Sequence, residues 1–253
     1  MRFSIDTDAK TLLTADGRSL DLYGKDAFEL ISQLWLKTSW NQKYSYTFTW
    51  MGRPIIQHPE DTVRLQEVIY SLQPDVIMET GVAHGGSLVF YASLLKAIGK
   101  RGRVVGIDIE IRPHNREAIE RHELFEYITL IEGDSVTPDT VEQAAKTIRP
   151  ADKVLVLLDS NHSYAHVTKE LELYHGFVTP GSYIVATDGI MHLVHDVPRG
   201  HSAWRTDNPS QAAIDFAKTH PQFVIENPAW NFNESALDKP ITAWPSAWLK
   251  RRS

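Results

Sequence analysis

The sequence predicts an α/β fold built on a doubly wound, mostly parallel sheet, and three observations carry that reading. Short runs rich in Val, Ile and Leu recur at 76–79, 104–108, 128–132, 154–159, 182–188 and 223–226, each bounded by Gly, Pro or a charge. This is the pattern of strands buried on both faces. Helical patterns at 87–99, 113–121, 138–148, 165–174 and 209–220 fall between them, and such alternation makes parallel crossovers. Finally, carboxylates stand at or just past successive strand ends: Glu79, Asp108, Asp134, Asp159 and Asp188. Open α/β sheets bind their ligands beyond the carboxyl ends of the strands.

Taken in order, Tyr44, Tyr46, Phe48 and Trp50 alternate with Ser45, Thr47 and Thr49, which predicts a strand with one aromatic face. Residues 60–72 follow as an amphipathic helix with Leu65, Val68, Ile69 and Leu72 on one side. Pro113, Pro138 and Pro209 sit where first-turn prolines belong. Gly99 and Gly176 follow apolar helical runs as C-terminal caps do. All seven tryptophans lie outside 51–203. The expected division is therefore a 1–59 extension, packing on the core or on a neighbouring subunit, and a ligand-binding domain over 60–253. A homo-oligomer is expected. The flanking aromatics serve either this packing or stacking on a ring-shaped substrate such as a sugar.

With 253 residues and 42% hydrophobic content the chain can bury a sizeable core. Its net charge of −6 argues against a nucleic-acid partner. The only basic block, Lys250-Arg251-Arg252, reads as a solvated tail. Cysteine is absent, which removes disulfides, thiolate metal sites and a cysteine nucleophile. No signal-peptide pattern opens the sequence, and no apolar run approaches the ~20 residues that span a bilayer. The expectation is a cytoplasmic protein with no membrane span.

The most informative stretch is 75–87, Asp-Val-Ile-Met-Glu79-Thr80-Gly81-Val-Ala-His-Gly85-Gly-Ser87. It passes from a strand through a glycine-bearing turn into a helix, a unit that presents backbone N–H groups to a small polar ligand. The spacing is not the dinucleotide pattern G-x-G-x-x-G. Glu79 places negative charge where a pyrophosphate would sit badly. A ligand carrying an ammonium and a sulfonium, S-adenosylmethionine, would welcome it. Asp108 then suits the ribose, and Gly133-Asp134-Ser135 suits the adenine. Downstream, Asp159 and His162 leave a buried strand three residues apart, and Asp188 ends the neighbouring strand. Two converging carboxylates can hold Mg²⁺, with His162 beside it as general base. His166, one helical turn on, reads as a helix-surface residue.

At these residues the chain resembles the cephalosporin hydroxylase family, which includes rhamnosyl and other sugar O-methyltransferases of class I, Rossmann-like methyltransferase fold. The resemblance runs from about residue 44 into the second half of the chain. It rests on Pro54-Ile-Ile-Gln-His58-Pro59, the 79–87 loop, Leu158-Asp-Ser-Asn-His162 and Thr179-Pro-Gly-Ser-Tyr183. It implies S-adenosylmethionine at that loop, Mg²⁺ at Asp159 and Asp188, and a base at His162. One departure is Thr187, where related sequences often carry an acid. The expected function is S-adenosylmethionine- and Mg²⁺-dependent methylation of a hydroxyl on a sugar or glycoside. The 189–201 loop is expected to close over the acceptor, with Arg199 or His192 as candidate contacts and His195 unassigned. Two rivals stand beside this: a nicotinamide-type oxidoreductase or hydroxylase component, disfavoured by Glu79, and a non-catalytic subunit, disfavoured by the pair Asp159 and His162.

Overall fold

The computed structural model describes residues 2–252. A three-stranded antiparallel sheet comes first: β1 (Phe3–Asp6), β2 (Thr11–Thr14) and β3 (Ser19–Asp21). Helix α1 (Lys25–Asn41) and a hairpin of β4 (Phe48–Trp50) and β5 (Arg53–Ile55) lead into α2 (Pro59–Leu72). The central unit then runs β6 (Val76–Thr80), α3 (Gly86–Ala97), β7 (Arg103–Asp108), α4 (Pro113–Glu120), β8 (Ile128–Glu132), α5 (Pro138–Ala145), β9 (Val154–Leu158), α6 (Tyr164–Tyr174) and β10 (Tyr183–Ala186). Helices α7 (Met191–Val194) and α8 (Pro209–Thr219) precede β11 (Phe223–Ile225) and β12 (Trp248–Arg251).

The main sheet has seven strands in the order β11-β12-β10-β9-β6-β7-β8. Strands β8, β7, β6, β9 and β10 are mutually parallel, and β12 lies antiparallel between β10 and β11. From β6 the chain steps outward to β7 and β8, then returns to the other side of β6 for β9 and β10. That reversal opens a crevice at the carboxyl ends of β6 and β9, the switch point where ligands of such sheets bind.

The central strands are apolar because both faces are covered. Every residue of β6, β9 and β10 is buried. Alternation sends Ile77, Val104, Leu155 and Leu157 into one layer with Phe90 and Leu95 of α3. Met78, Val105, Val156 and Ile184 face the other layer, with Val167 and Leu171 of α6 and Ala213 and Phe216 of α8.

Two sequence expectations are corrected. Only Phe48–Trp50 of the aromatic alternation is strand, because Tyr44–Thr47 forms a 3₁₀ turn. Rings of the segment meet edge to face, Tyr44 on Phe48 at 5.0 Å and Trp50 on Phe90 of α3 at 4.8 Å, so aromatic contacts add to the short β4–β5 pairing. The basic end is not a free tail either, since Lys250 and Arg251 belong to β12. Trp248 and Leu249 anchor that strand in the core, Lys250 pairs with Glu226, and Arg251 donates to the Val178 carbonyl. Trp244 is buried as well, and Trp40 meets Trp204 edge to face. Among the described residues, no helix is long and apolar enough to cross a membrane.

Candidate active site

The site forms where β6, β7, β8 and β9 end. The turn after β6 is shaped by Gly81, whose φ of +96° lies in the left-handed region. A Cβ there would stand 2.1 Å from the Asp159 carbonyl oxygen, so only glycine lets the β6 and β9 loops approach this closely. Asp108 closes the same turn, its Oδ2 accepting N–H bonds from Val82 (2.8 Å) and Ala83 (3.2 Å). The start of α3 is crowded by the β4–β5 hairpin, where a Cβ on Gly86 would meet the Pro54 carbonyl at 2.1 Å.

A cavity of about 460 Å³ opens over these strand ends. Gly81, Asp108, Asp134, Ser135 and Asp159 line it, together with Ala83, Ile107, Ile109 and His166. Thr80 and Gly85 stand otherwise. Thr80 is fully buried in β6, and Gly85 is the left-handed residue (φ +78°) before α3. Both shape the turn rather than line the cavity.

Glu79 is fully buried. Strand alternation points it at α3, where Oε2 accepts from Ser87 (2.5 Å) and Oε1 from the Tyr91 hydroxyl (2.7 Å). Ser87 in turn lines a smaller cavity with Gln57, Gly81 and Asp159, so Ser87 stands between Glu79 and that cavity. Burial first, then the charge of Asp159, pushes the Glu79 carboxyl up; a cation beside it would oppose that shift.

Asp159, His162 and Asp188 bring one donor atom each within 4.8 Å of one another. The imidazole Nε2 of His162 lies 3.4 Å from Asp188 Oδ2, while its Nδ1 is buried without a hydrogen-bond partner among the described residues. Asp188 adopts a left-handed backbone (φ +54°), a strained geometry that recurs at functional positions. Burial and the neighbouring Asp188 charge push Asp159 up. Two carboxylates facing one point repel, and a divalent cation placed between them would relieve the repulsion. Thr187, the departure from the related pattern, is buried, and its one hydroxyl proton is shared between the Leu158 carbonyl and Asp159 Oδ1. It thus orients Asp159 from behind.

Three further residues belong to the site that the sequence reading missed or misplaced. His166 is no bystander on a helix surface: its Nε2 lies 3.1 Å from both Ser135 Oγ and Ser160 Oγ, and 3.4 Å from buried Glu170. The Glu170 bond raises its pKa against the cost of burial. Gln57 and His58 are buried, and among the described residues neither side-chain polar atom of either has a partner. Burial pulls His58 down, opposed by the charges of Glu60 and Asp188. Only their place in the Pro54–Pro59 motif signalled them. The segment after Asp188 is not an open loop, since it carries α7, with Val194 in the core. His192 and His195 turn Nδ1 to the backbone carbonyls of Gly189 and His192. Arg199 stacks over Trp40.

The model of the family "Rhamnosyl O-methyltransferase/CmcI" matches residues 42–252. A rhamnosyl O-methyltransferase of Mycobacterium leprae (strain TN) is 30% identical over 154 residues, 60% of this chain and 65% of that protein. Its counterpart in Mycobacterium bovis (strain BCG / Pasteur 1173P2) is 28% identical over 141 residues, 55% and 56% of the two chains. The matches thus span somewhat under two thirds of those relatives. Among solved structures, CmcI with Mg-SAM superposes with a TM-score of 0.54 at 19% identity, over 82% of this chain and 78% of that one. An O-methyltransferase from Bacillus cereus in complex with SAH does so at 0.50 and 16% identity, over 80% and 84%. With the strand order above, these likenesses establish a class I methyltransferase fold. The chain belongs to the rhamnosyl O-methyltransferase/CmcI family.

Proposed function

We propose that this protein is an S-adenosylmethionine- and Mg²⁺-dependent O-methyltransferase that methylates a hydroxyl of a sugar or glycoside. The observation that carries the reading is the convergence of Asp159, His162 and Asp188 at the rim of a cavity lined by Asp108 and Asp134. Membership of a family named for rhamnosyl methylation, and relatives so named, support the sugar acceptor. The cofactor fits the cavity chemically. Asp108 and Asp134 offer carboxylates for ribose and adenine, Ile107 and Ile109 flank the ring position, and Ser87 backed by Glu79 faces the cationic methionine end.

The chemistry follows from what the acceptor lacks. A sulfonium is a good leaving group, but an alcohol is a poor nucleophile until it loses its proton. Bound Mg²⁺ supplies a positive charge that lowers the pKa of a hydroxyl beside it. Asp159 and Asp188 would hold that ion, and Thr187 keeps Asp159 in place. Because Mg²⁺ prefers oxygen donors, the His162 imidazole is left to accept the hydroxyl proton through Nε2. Asp188, 3.4 Å away, then stabilises the imidazolium. Gln57, which lines the smaller cavity with side-chain polar atoms that have no partner among the described residues, supplies hydrogen bonds for the acceptor.

Calorimetric titration with S-adenosylhomocysteine, with and without Mg²⁺, is the direct test. We expect binding in both cases and methyl transfer to a rhamnoside only with Mg²⁺. Absence of S-adenosylhomocysteine binding, together with quenching of NADH fluorescence, would move the protein to the oxidoreductase reading. Full turnover after exhaustive EDTA treatment would show that Thr187 marks a metal-independent enzyme resting on His162 alone.

A further inference from the structure

A second group of donors lies at the opposite end of the sheet. Helix α6 leaves the carboxyl end of β9 and runs back, so its C-terminus sits at the amino ends of the parallel strands, beside the C-terminus of α8. There Glu172, His175 and His220 bring one donor atom each within 4.8 Å of one another. We propose that these three residues bind a first-row transition-metal dication, Zn²⁺ foremost, as a clamp between α6 and α8.

Four observations converge. Both histidines are C-cap residues, His175 of α6 and His220 of α8. The negative ends of two helix dipoles therefore meet at this point, which favours a cation. Each imidazole also has its Nδ1 engaged: His175 Nδ1 lies 3.1 Å from the Leu171 carbonyl, and His220 Nδ1 lies 3.2 Å from the Phe216 carbonyl. A carbonyl only accepts, so His175 Nδ1 carries the proton and its Nε2 keeps a lone pair when the ring is neutral; His220 Nδ1 also lies 3.0 Å from the Thr219 hydroxyl, and the same tautomer there leaves its Nε2 free for a cation. Backbone anchoring of one ring nitrogen is how proteins orient a histidine ligand.

The third observation is that His220 Nε2 faces Glu172 Oε2 at 3.5 Å. A lone pair facing a carboxylate is repulsive unless a proton or a cation lies between them, and the second imidazole stands alongside, 5.0 Å between ring centroids. A single dication satisfies all three groups. Fourth, the rings are held before any ion arrives. His220 stacks on Phe216 at 3.9 Å with 12° between planes, and His175 meets Phe223 edge to face at 6.0 Å. Half-exposed Glu172 leaves the remaining positions open to water.

Two imidazoles and one carboxylate select the ion. That set suits Zn²⁺, Co²⁺ or Ni²⁺ and gives little to Mg²⁺, which demands oxygen. The site is therefore chemically distinct from Asp159 and Asp188, and it stands whether or not the proposed methyl transfer is correct.

The test uses the full chain after chelator treatment, titrated with Zn²⁺ alone and, for a spectroscopic signature, with Co²⁺. We expect one Zn²⁺ equivalent that raises the melting temperature, and visible Co²⁺ bands of a nitrogen-ligated ion. His220→Ala and Glu172→Gln should each weaken Zn²⁺ at least ~10-fold, whereas Asp188→Asn should leave this equivalent in place. Glu172→Gln alters a half-exposed side chain and keeps the test valid if His220→Ala does not fold. No Zn²⁺ bound by the native protein, binding unchanged in Glu172→Gln, or loss of the equivalent in Asp188→Asn would each overturn the proposal.

Discussion

Asp61 offers a quantitative test of the electrostatics that join the C-terminal segment to the site. It lies in the first turn of α2, 3% exposed, and accepts hydrogen bonds from the Thr242 hydroxyl and from the Ala243 N–H at 2.8 Å. Burial pushes its carboxyl from 3.8 up to about 7, against these two bonds, and the charges of Asp188 and Glu60 add to the rise. The unfolded chain releases this proton near pH ~4 whereas the folded protein holds it to about 7. The contribution is therefore fully present at low pH and is lost as pH rises through that window. At ~1.36 kcal/mol per unit, the loss attributable to Asp61 between pH 5 and 8 is about 2–3 kcal/mol. Asn is close in shape and cannot ionise. Its amide oxygen can accept from Ala243, and its NH₂ can donate to Thr242 Oγ1, which already accepts from the Trp244 N–H at 2.9 Å. Urea unfolding followed by tryptophan fluorescence, at pH 5, 6, 7 and 8, should show Asp61→Asn gaining on the native protein by about 2–3 kcal/mol across the series, with unchanged m. Parallel stability curves for the two proteins, or a gap that closes in the opposite sense, would refute the reasoning.

The remaining predictions concern the site. His162→Ala should lower kcat by about 10²-fold or more while barely changing S-adenosylhomocysteine affinity; near-normal kcat would move the proton acceptor to Asp159. His166→Ala should instead weaken S-adenosylhomocysteine, because it removes the partner of Ser135 and Ser160, and calorimetry separates the two variants. Asp108→Ala should weaken the same ligand roughly 10–150-fold, the worth of one charge-assisted hydrogen bond at about 1.5–3 kcal/mol, and unchanged affinity in a folded variant would remove it from the cofactor site. Gly81→Ala forces a Cβ against the Asp159 carbonyl in a left-handed backbone. It should cost at least about 1–2 kcal/mol from the backbone alone, and a variant with native melting temperature and activity would contradict the close approach of the two loops.

The parallel strands were legible because burial on both faces leaves a local mark, an apolar run ended by a carboxylate. The same mark located Asp108, Asp159 and Asp188 at the carboxyl ends of the strands, with Asp134 two residues past β8. What escaped reading depends on partners distant in sequence. Strand β12 shows only Trp-Leu followed by Lys-Arg, and its pairing with β10 lies more than sixty residues back. His166 is defined by Ser135, 31 residues upstream; its only local hint was Glu170 at i+4. The 44–50 stretch misled because alternation is shared by strands and by aromatic clusters that pack edge to face. Glu79 was correctly picked out as a charge near the turn, yet its position behind Ser87 follows from the phase of β6, which the glycine spacing does not reveal.

The antiparallel insertion of β12 also constrains the order in which the molecule can assemble. Strand β11 touches the sheet only through β12, so on the ribosome it has no neighbour until about twenty further residues have emerged. During that interval β10, apolar and buried in the finished protein, presents an open edge of the kind that recruits other chains. Late closure of a non-local strand is slow as well. Nascent chains halted anywhere between 226 and 247 would carry a nearly complete site beside an unguarded edge, and they are the forms in which this protein would aggregate.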